Sequence, residues 1–437
     1  MKIPFRLLPI CSALVLISAA GAATAQTSAD QLLQRMEAMA AEVQSLRAEV
    51  TQLKAEQSQT EATAQKASVT ASAAAAEVAT VAGSGLKMSS NTVLSGYGEI
   101  NYNRPTKSSK DAQLDVRRVV LGVQHRFNEN TKFVGEFEWE HAVVSATDRG
   151  ETAIEQAYIE HQLTPNLALR GGLFLIPSGL LNENHEPSAF YGVERNFIET
   201  AIIPSTWREV GVMAVGTLAN GITWNAGVAS GFDLGEWDSQ AAEGKESPLA
   251  SVHQEGQFAR AKNLSVFGAL NWRGVPGLTL GASVFSGGAG HSQLINAKPR
   301  VTVYDLHARW TPGKWDLSAV YAAGSISDTA KLNVPFSGDS TPIPSKFDGY
   351  YVQAAYQLWS KGDYRFSPFA RYERFNTAKA YAGFPIGLGR PADPYERVMT
   401  LGGNFVLAPG VVVKADYQSF SVNKNANRFN VGLGYSF

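Results

Sequence analysis

Hydrophobic and polar residues alternate along much of the chain, and the pattern is clearest near its end. Residues of one parity are apolar, namely Phe429, Val431, Leu433, Tyr435 and Phe437, and those between them are polar or small. Alternation with a period of two predicts a β-strand that has one apolar and one polar face. Such a strand fits hydrocarbon on one side and water on the other. The edge of a soluble β-sandwich is the alternative interpretation.

Sixteen strands of this kind are predicted from Asn91 onward, and their connections alternate in length. The short connections are predicted near residues 128–130, 164–165, 219–221, 274–276, 311–313, 360–363 and 408–410. The longer ones are predicted near 103–113, 144–151, 178–206, 232–261, 288–298, 326–346 and 377–395, with a tight one near 423–426. Short inner turns and long outer loops are typical of bacterial outer-membrane barrels. The predicted fold is an all-β transmembrane β-barrel of 16 antiparallel strands over residues 91–437.

The first 25 residues have the pattern of a secretory signal peptide. Lys2 and Arg6 precede an apolar stretch, and Ala23-Thr24-Ala25 fits a cleavage site. A membrane anchor is the alternative, but the apolar stretch is shorter than a helical span requires. The single cysteine of the chain lies inside this segment, so the mature chain is predicted to contain no disulfide and no thiolate metal site.

Residues 26–56 show a heptad repeat that predicts a periplasmic α-helical coiled coil. Its predicted core positions are Leu32, Met36, Met39, Val43, Leu46, Val50 and Leu53. An amphipathic surface helix is the alternative, because three heptads are marginally stable alone. Residues 57–90 are rich in Ala, Ser, Thr and Gln, which predicts a linker without a core of its own.

Charge and hydropathy exclude several functional classes. Without Lys2 and Arg6, 36 of the 38 basic residues remain against 39 acidic ones, a net charge of −3. This small charge gives no support for nucleic-acid binding. No apolar run of 18 residues follows the signal, so helical membrane spans are not predicted.

Parity along the predicted strands assigns charged side chains to the inside of the barrel. The inward residues predicted to line a pore are Arg118, Arg126, Glu136, Glu138, Arg170, Arg309, Arg371, Lys414 and Arg428. Because removing ionised groups from water costs several kcal/mol each, this wall predicts a water-filled bore. For any one residue, the alternative is an ion pair that only stabilises the wall.

Residues 177–210 are too apolar for a loop in solvent, and they are predicted to fold back into the barrel as a constriction. The fold would bury their apolar groups and bring Arg195 and Arg208 close to the narrowest point of the pore. Opposite charges set close together there would screen solutes by size and charge. Packing of this loop against a neighbouring subunit is the alternative, and the two interpretations are compatible.

Three motifs around this loop resemble the phosphate-selective porin O and P family. They are Arg170-Gly-Gly-Leu-Phe-Leu-Ile-Pro-Ser-Gly-Leu180, Phe190-Tyr-Gly-Val-Glu-Arg-Asn196 and Ile203-Pro-Ser-Thr-Trp-Arg-Glu209. The resemblance covers the barrel from about residue 91 to the end. It implies a sixteen-stranded trimer whose third loop enters the lumen and whose basic residues guide anions. Leu175 stands where the family motif often has lysine, so the resemblance favours small anions or general polar solutes over phosphate alone.

The predicted function is passive diffusion of small hydrophilic solutes across the outer membrane. The alternative is an anchor whose coiled-coil stalk tethers the membrane to the cell wall or to a periplasmic partner. No enzyme activity, cofactor or metal site is predicted, because no histidine has a serine or an acid in a catalytic arrangement. The predicted partners are a homotrimer, the lipid bilayer, small polar or anionic solutes, and the barrel assembly machinery, for which Tyr435 and Phe437 are the predicted signal.

Overall fold

The computed structural model describes residue 44 and residues 91–145, 147–291, 294, 297–336, 338–383 and 392–437. The predicted signal peptide, the seven core positions of the coiled coil and the linker lie outside the described residues and stay predictions.

Seventeen strands are present among the described residues, and all belong to one antiparallel sheet. They are β1 (Thr92–Pro105), β2 (Gln113–Arg126), β3 (Thr131–Glu140), β4 (Thr152–Thr164), β5 (Leu167–Leu175), β6 (Arg208–Leu218), β7 (Ile222–Ala229), β8 (Ser265–Trp272), β9 (Leu278–Gly288), β10 (Arg300–Trp310), β11 (Trp315–Ile326), β12 (Lys346–Tyr356), β13 (Trp359–Lys361), β14 (Tyr364–Ala380), β15 (Glu396–Ala408), β16 (Val411–Phe420) and β17 (Arg428–Ser436).

The helices of the described residues from 91 onward are single turns in the connections. They are α1 (Glu243–Glu246), α2 (Thr329–Leu332), a π-helical turn (Ile198–Ile202) and 3-10 turns at Ser109–Asp111, Ala219–Gly221, Leu234–Glu236, Ala250–Val252 and Lys424–Ala426. None of these helices has the length and apolarity needed to cross a membrane.

The sheet closes on itself because β1 pairs with β2 on one side and with β17 on the other. The backbones of Gly96 and Phe437 exchange two hydrogen bonds of 2.9 and 3.0 Å at this seam. The short strand β13 follows β12, and both pair with β14, so the two occupy one position in the wall. The prediction of a sixteen-stranded antiparallel barrel is therefore confirmed.

The connections alternate between short and long along the whole barrel, as predicted. The long ones join β1 to β2, β3 to β4, β5 to β6 and so on to β16 and β17, whereas the turns between them span a few residues. Trp310, Trp315 and Trp359 all stand beside short turns, and each leaves nearly half of its side chain exposed. This row is typical of an aromatic belt at a membrane interface.

The inside of the barrel is partly filled by its own loops. Residues 176–207, here called loop 3, and residues 230–264, here called loop 4, contribute apolar side chains to one buried cluster with the inner wall. Trp207 from loop 3 is fully buried, and its ring centroid lies 4.5 Å from that of Phe285 and 5.3 Å from that of Phe232. Loops therefore occupy space that the side chains of a sixteen-stranded wall leave empty.

Candidate functional site

Loop 3 lies inside the ring, held against the inner wall by buried cations. The Lys414 ammonium donates to the Phe190 carbonyl at 3.1 Å and lies 3.5 Å from the centre of the Phe190 ring. The Arg371 guanidinium donates to the Tyr191 carbonyl at 3.0 Å. Both cations are 2% exposed, so they hold the loop and do not meet an open bore. The prediction that Lys414 and Arg371 line the pore is corrected in this respect, because loop 3 covers them.

Buried carboxylates complete the attachment from the same strands. Asp416 accepts a hydrogen bond from the Val193 amide at 2.6 Å, and Glu373 accepts one from the Phe197 amide at 2.6 Å. Glu373 also accepts a hydrogen bond from Nε of Arg371 at 2.9 Å. Hydrogen bonds between ionised groups and backbone are stronger than neutral ones. Alternating cations and anions on β14 and β16 therefore bind both the carbonyls and the amides of one loop segment.

Two glycines of β17 let the loop approach the wall closely. A Cβ placed on Gly432 would lie 3.0 Å from Cγ1 of Val193, and one on Gly434 would lie 2.3 Å from Cβ of Pro187. Real Cβ atoms seldom come closer than this to a neighbour, so a side chain at Gly434 would push the loop off its seat. The small inward residues at the end of the sequence thus serve the packing of loop 3.

A disulfide is expected to form when Val193→Cys and Gly432→Cys are combined. The two side chains would meet within the Cβ separation that a disulfide allows, roughly 3.5–4.5 Å. Cleavage mapping by mass spectrometry with and without reductant detects the bond, and conductance is expected not to change because the loop already occupies this position. Val193→Cys with Val431→Cys is the matched control, since Val431 has the opposite parity. A crosslink in the control, or none in the first pair, would contradict the placement of loop 3.

Arg118 is the centre of a buried ion cluster on the inner wall. Its guanidinium lies 2.9 Å from Glu99, 2.8 Å from Glu138 and 3.3 Å from Glu140. The side chains of Arg118, Glu99 and Glu138 are less than 10% exposed. Arg118 and Glu138 are therefore inside the barrel, as predicted from parity, but they pair with each other and are not free to meet solute. This outcome corresponds to the stabilising ion pair that the sequence left open.

Arg195 braces loop 3 internally. Its guanidinium donates to Oγ of Ser205 at 2.6 Å, to Oγ1 of Thr206 at 3.0 Å and to the His185 carbonyl at 3.3 Å. The residue is 8% exposed. The predicted position in loop 3 is correct, but the side chain ties the two arms of the loop together and does not project into open space.

Arg208 does not face the constriction. It is the first residue of β6 and has the parity of Val210, which is 43% exposed on the outer wall. Its guanidinium pairs at 3.0 Å with Glu255 of loop 4, whose neighbour Gly256 packs on Val210. Burial, followed by the Arg208 charge, lowers the pKa of His253 to about 4, and Nε2 of His253 lies 3.3 Å from the same Glu255 carboxylate. The prediction of Arg208 at the pore was wrong. Strand β6 already begins at Arg208, and its alternation places the Arg208 side chain on the same outward side as that of Val210.

Part of the inner wall stays accessible on the side of loop 3 nearest the short turns. The Glu160 carboxylate forms ion pairs with the Arg170 guanidinium at 2.7 Å and with the Lys132 ammonium at 2.9 Å. The Arg170 guanidinium also lies 4.0 Å from the Glu183 carboxylate of loop 3. The exposed fractions of these side chains are 21% for Arg170 and 36% for Lys132. The predicted inward position of Arg170 agrees with this geometry, and the residue forms one side of a polar vestibule.

The opposite side of the vestibule is formed by β10, β14 and loop 3. A cavity of about 240 Å³ is lined by Arg309, Arg365 and Tyr191 together with both polar and apolar residues of the wall and of loop 3. Arg309 binds Asp316 through Nε and Nη2 at 3.0 and 2.7 Å, yet 43% of its side chain remains exposed. Arg365 has no ion pair within 4.0 Å among the described residues. The Arg365 side chain and the exposed part of Arg309 therefore line this cavity.

The remaining predicted pore residues lie on inward positions at different heights. Arg126 is exposed beside the first short turn. The Glu136 carboxylate accepts a hydrogen bond from the Gln156 side-chain amide at 2.5 Å. Arg428 stands at the opposite, long-loop end and donates to Gln418 at 2.6 Å. The structure therefore does not bring the predicted residues together into one ring. Whether they determine solute passage stays a prediction.

Glu99, Glu155 and Arg365 were missed by the sequence reasoning. The alternation of β1 would have placed Glu99 inward, and that of β14 would have placed Arg365 inward. Glu155 was less accessible to such reasoning, because a β-bulge opposite Glu136 and Phe137 inserts an extra residue and shifts the parity of β4. Its carboxylate is fully buried and accepts a hydrogen bond from Tyr97 at 3.1 Å.

Within the part of the chain that the structure describes, no group of three or more His, Cys, Asp or Glu residues is placed to hold a metal ion. The site consists of ion pairs, arginines and a folded loop.

This barrel matches a known family of proteins. The model of the family described as phosphate-selective porin O and P matches residues 86–430. The chain belongs to this porin family. The family and the fold support a channel in the outer membrane and point away from an enzyme.

Known proteins similar to this porin align over most of its length but have low sequence identity to it. An uncharacterized protein of Aquifex aeolicus (strain VF5) is 30% identical over 355 residues, which cover 79% of each chain. OmpF of Salmonella typhi, solved in complex with daunomycin, has a TM-score of 0.56 at 14% identity and covers 79% of this porin and 98% of that chain. The outer membrane channel DcaP of Acinetobacter baumannii has a TM-score of 0.52 at 13% identity, covering 81% and 100%. The identities of 14% and 13% to these two solved structures show a shared fold alone.

Proposed function

We propose that this porin is a water-filled channel for passive diffusion of small hydrophilic solutes, with a preference for anions. The observation that carries the proposal is the polar vestibule beside loop 3. Its accessible cations Lys132, Arg170 and Arg309 each have a carboxylate partner, whereas Arg126 and Arg365 have no ion pair within 4.0 Å among the described residues. Unpaired positive charges in a narrow aqueous space attract anions and repel cations.

Planar-bilayer recordings under a tenfold potassium chloride gradient test this function. We expect discrete conductance steps and a reversal potential whose sign shows that chloride carries more current than potassium. Arg126→Gln with Arg365→Gln should shift the reversal potential toward the cation side. Barrels that fold but never conduct would contradict the channel, and a cation-side reversal potential in the unmodified protein would contradict only the anion preference.

The assembly state is proposed to be a trimer, on the strength of the family relationship. Light scattering of the detergent-solubilised porin would show a protein mass of three chains. Tyr435 and Phe437 stay a predicted signal for the assembly machinery; Phe437 is 64% exposed at the seam. The alternative tether function depends on residues 26–56, which lie outside the described residues, and the comparisons do not support it.

A further inference from the structure

Two arginines lie directly opposite each other on the outer wall. Arg374 of β14 and Arg397 of β15 are register partners. They share the outward parity of Met399 and Leu401, which are 43% and 52% exposed. Like charges on directly opposed residues of one sheet face destabilise the pair of strands. The wall therefore carries an uncompensated electrostatic repulsion at this point.

Neighbouring acids do not relieve this repulsion. Neither Arg374 nor Arg397 has a salt bridge within 4.0 Å among the described residues of the barrel. Asp348 is occupied by Lys379 at 2.7 Å and by the Tyr395 hydroxyl at 2.7 Å. Both oxygens of Glu396 accept backbone amides of the turn after β16. Asp348 and Glu396 are thus bound to other partners, and an anion bound by both arginines would compensate their repulsion.

The Arg374 guanidinium is already held in place for such a ligand. It lies 3.5 Å from the centre of the Tyr395 ring, which is the distance of a cation–π contact. The Tyr395 hydroxyl is fixed in turn by its hydrogen bond to Asp348. Stacking leaves the N–H groups at the edge of the guanidinium free, and these groups match the oxygens of a phosphate.

The position of the pair along the wall identifies the source of the phosphate. Tyr321 and Tyr350 are register partners, and Tyr350 is the partner of Arg374, so tyrosines and arginines form one row across β11, β12, β14 and β15. Arg397 is the second residue after a long outer loop. Tyrosine rows mark the membrane interface. Toward the short turns the outward residues become Tyr372 and Met399, and then Ala370 and Leu401.

We propose that Arg374 and Arg397 form a binding site for the phosphate headgroup of a lipid in the outer leaflet of the outer membrane. The two guanidiniums bind the phosphate oxygens, and the acyl chains lie over the apolar residues below them on β14 and β15. The site is on the outside of the wall, and it is independent of the proposed conduction through the bore.

Binding of phosphorylated lipid A to the full, refolded porin in detergent, measured by native mass spectrometry, tests the proposal. The wild-type porin should bind bis-phosphorylated lipid A, and Arg374→Gln with Arg397→Gln should weaken binding by roughly tenfold or more, since the phosphate would lose its charged hydrogen-bond donors. Lipid A without phosphates should bind the wild type as weakly as the phosphorylated lipid binds the variant. Lys298→Gln with Arg300→Gln, which removes two positive charges from the same rim on the β10 side, is the matched control and should keep binding.

Two results would overturn the site. One is equal binding of phosphorylated and dephosphorylated lipid A to wild type and variant. The other is full displacement of the lipid by inorganic phosphate at equal concentration, which would show a site for free phosphate. Heat-modifiable mobility on a gel reports folding of each variant. If the glutamine pair does not fold, Arg374→Lys with Arg397→Lys keeps both charges but loses the planar N–H edge, and it should bind the lipid less tightly than the wild type does.

Discussion

Replacement of Arg118 by Met is expected to lower the free energy of unfolding of the porin by about 3–5 kcal/mol, because removal of one partner leaves buried charges uncompensated. Glu99 and Glu138, whose side chains are 6% and 7% exposed, would lose their cation at 2.9 and 2.8 Å. Urea unfolding of the refolded porin, followed by heat-modifiable mobility and tryptophan fluorescence, measures the change.

Arg117→Met is the matched control for this experiment. Arg117 is the adjacent residue of β2, its side chain is 40% exposed, and its distance to Asp115 is 3.9 Å. Exposed pairs of this kind contribute about 0–1 kcal/mol. Equal destabilisation by the two substitutions would show that the Arg118 cluster has no special role in holding β1, β2 and β3 together.

Arg371→Met is expected to loosen loop 3. The substitution removes the hydrogen bonds to the carbonyls of Tyr191 and Glu194 and leaves Glu373 buried without its cation. Loss of these charged hydrogen bonds should lower the free energy of releasing the loop by about 2–4 kcal/mol. The released population would rise roughly thirtyfold or more. Trypsin cleavage after Arg195, which is 8% exposed in the seated loop, measures the release.

Single-channel recordings of the same variant should show extra current levels, because a released loop changes the width of the bore. Arg309→Met is the control, since Arg309 binds Asp316 and makes no hydrogen bond to the loop backbone. It should alter ion preference and leave the rate of cleavage unchanged. Similar trypsin protection in wild type and Arg371→Met would contradict the proposed attachment.

The barrel was predictable from sequence because alternation and turn chemistry are local properties. Each strand reports its two environments through its own residues, and Gly, Pro and Asn mark the turns. Parity was therefore sufficient to place Arg118, Arg170 and Lys414 on the inner wall. It could not have placed Glu155 correctly, because one inserted residue reverses the alternation there.

The state of the inner side chains was not predictable in the same way. Burial of Arg371 and Lys414 depends on where a 32-residue connection settles, and this is decided by contacts between residues about 180–220 positions apart. The apolar composition of loop 3 predicted its entry into the barrel. Nothing local distinguishes a cation that meets water from one that binds a carbonyl of that loop.

The seat of loop 3 is built from the first and the last strand of the barrel. The Asn103 side chain of β1 donates hydrogen bonds to Glu194 of the loop at 3.0 Å and to Asn430 of β17 at 2.8 Å. The Val193 side chain of the loop packs against Gly432 of β17. These positions become neighbours only when β1 meets β17. Loop 3 therefore cannot reach this seat before the ring is complete. On the proposed function, a barrel arrested during insertion with an open seam would let solutes pass without the narrowing that loop 3 provides, so prompt closure would protect the envelope.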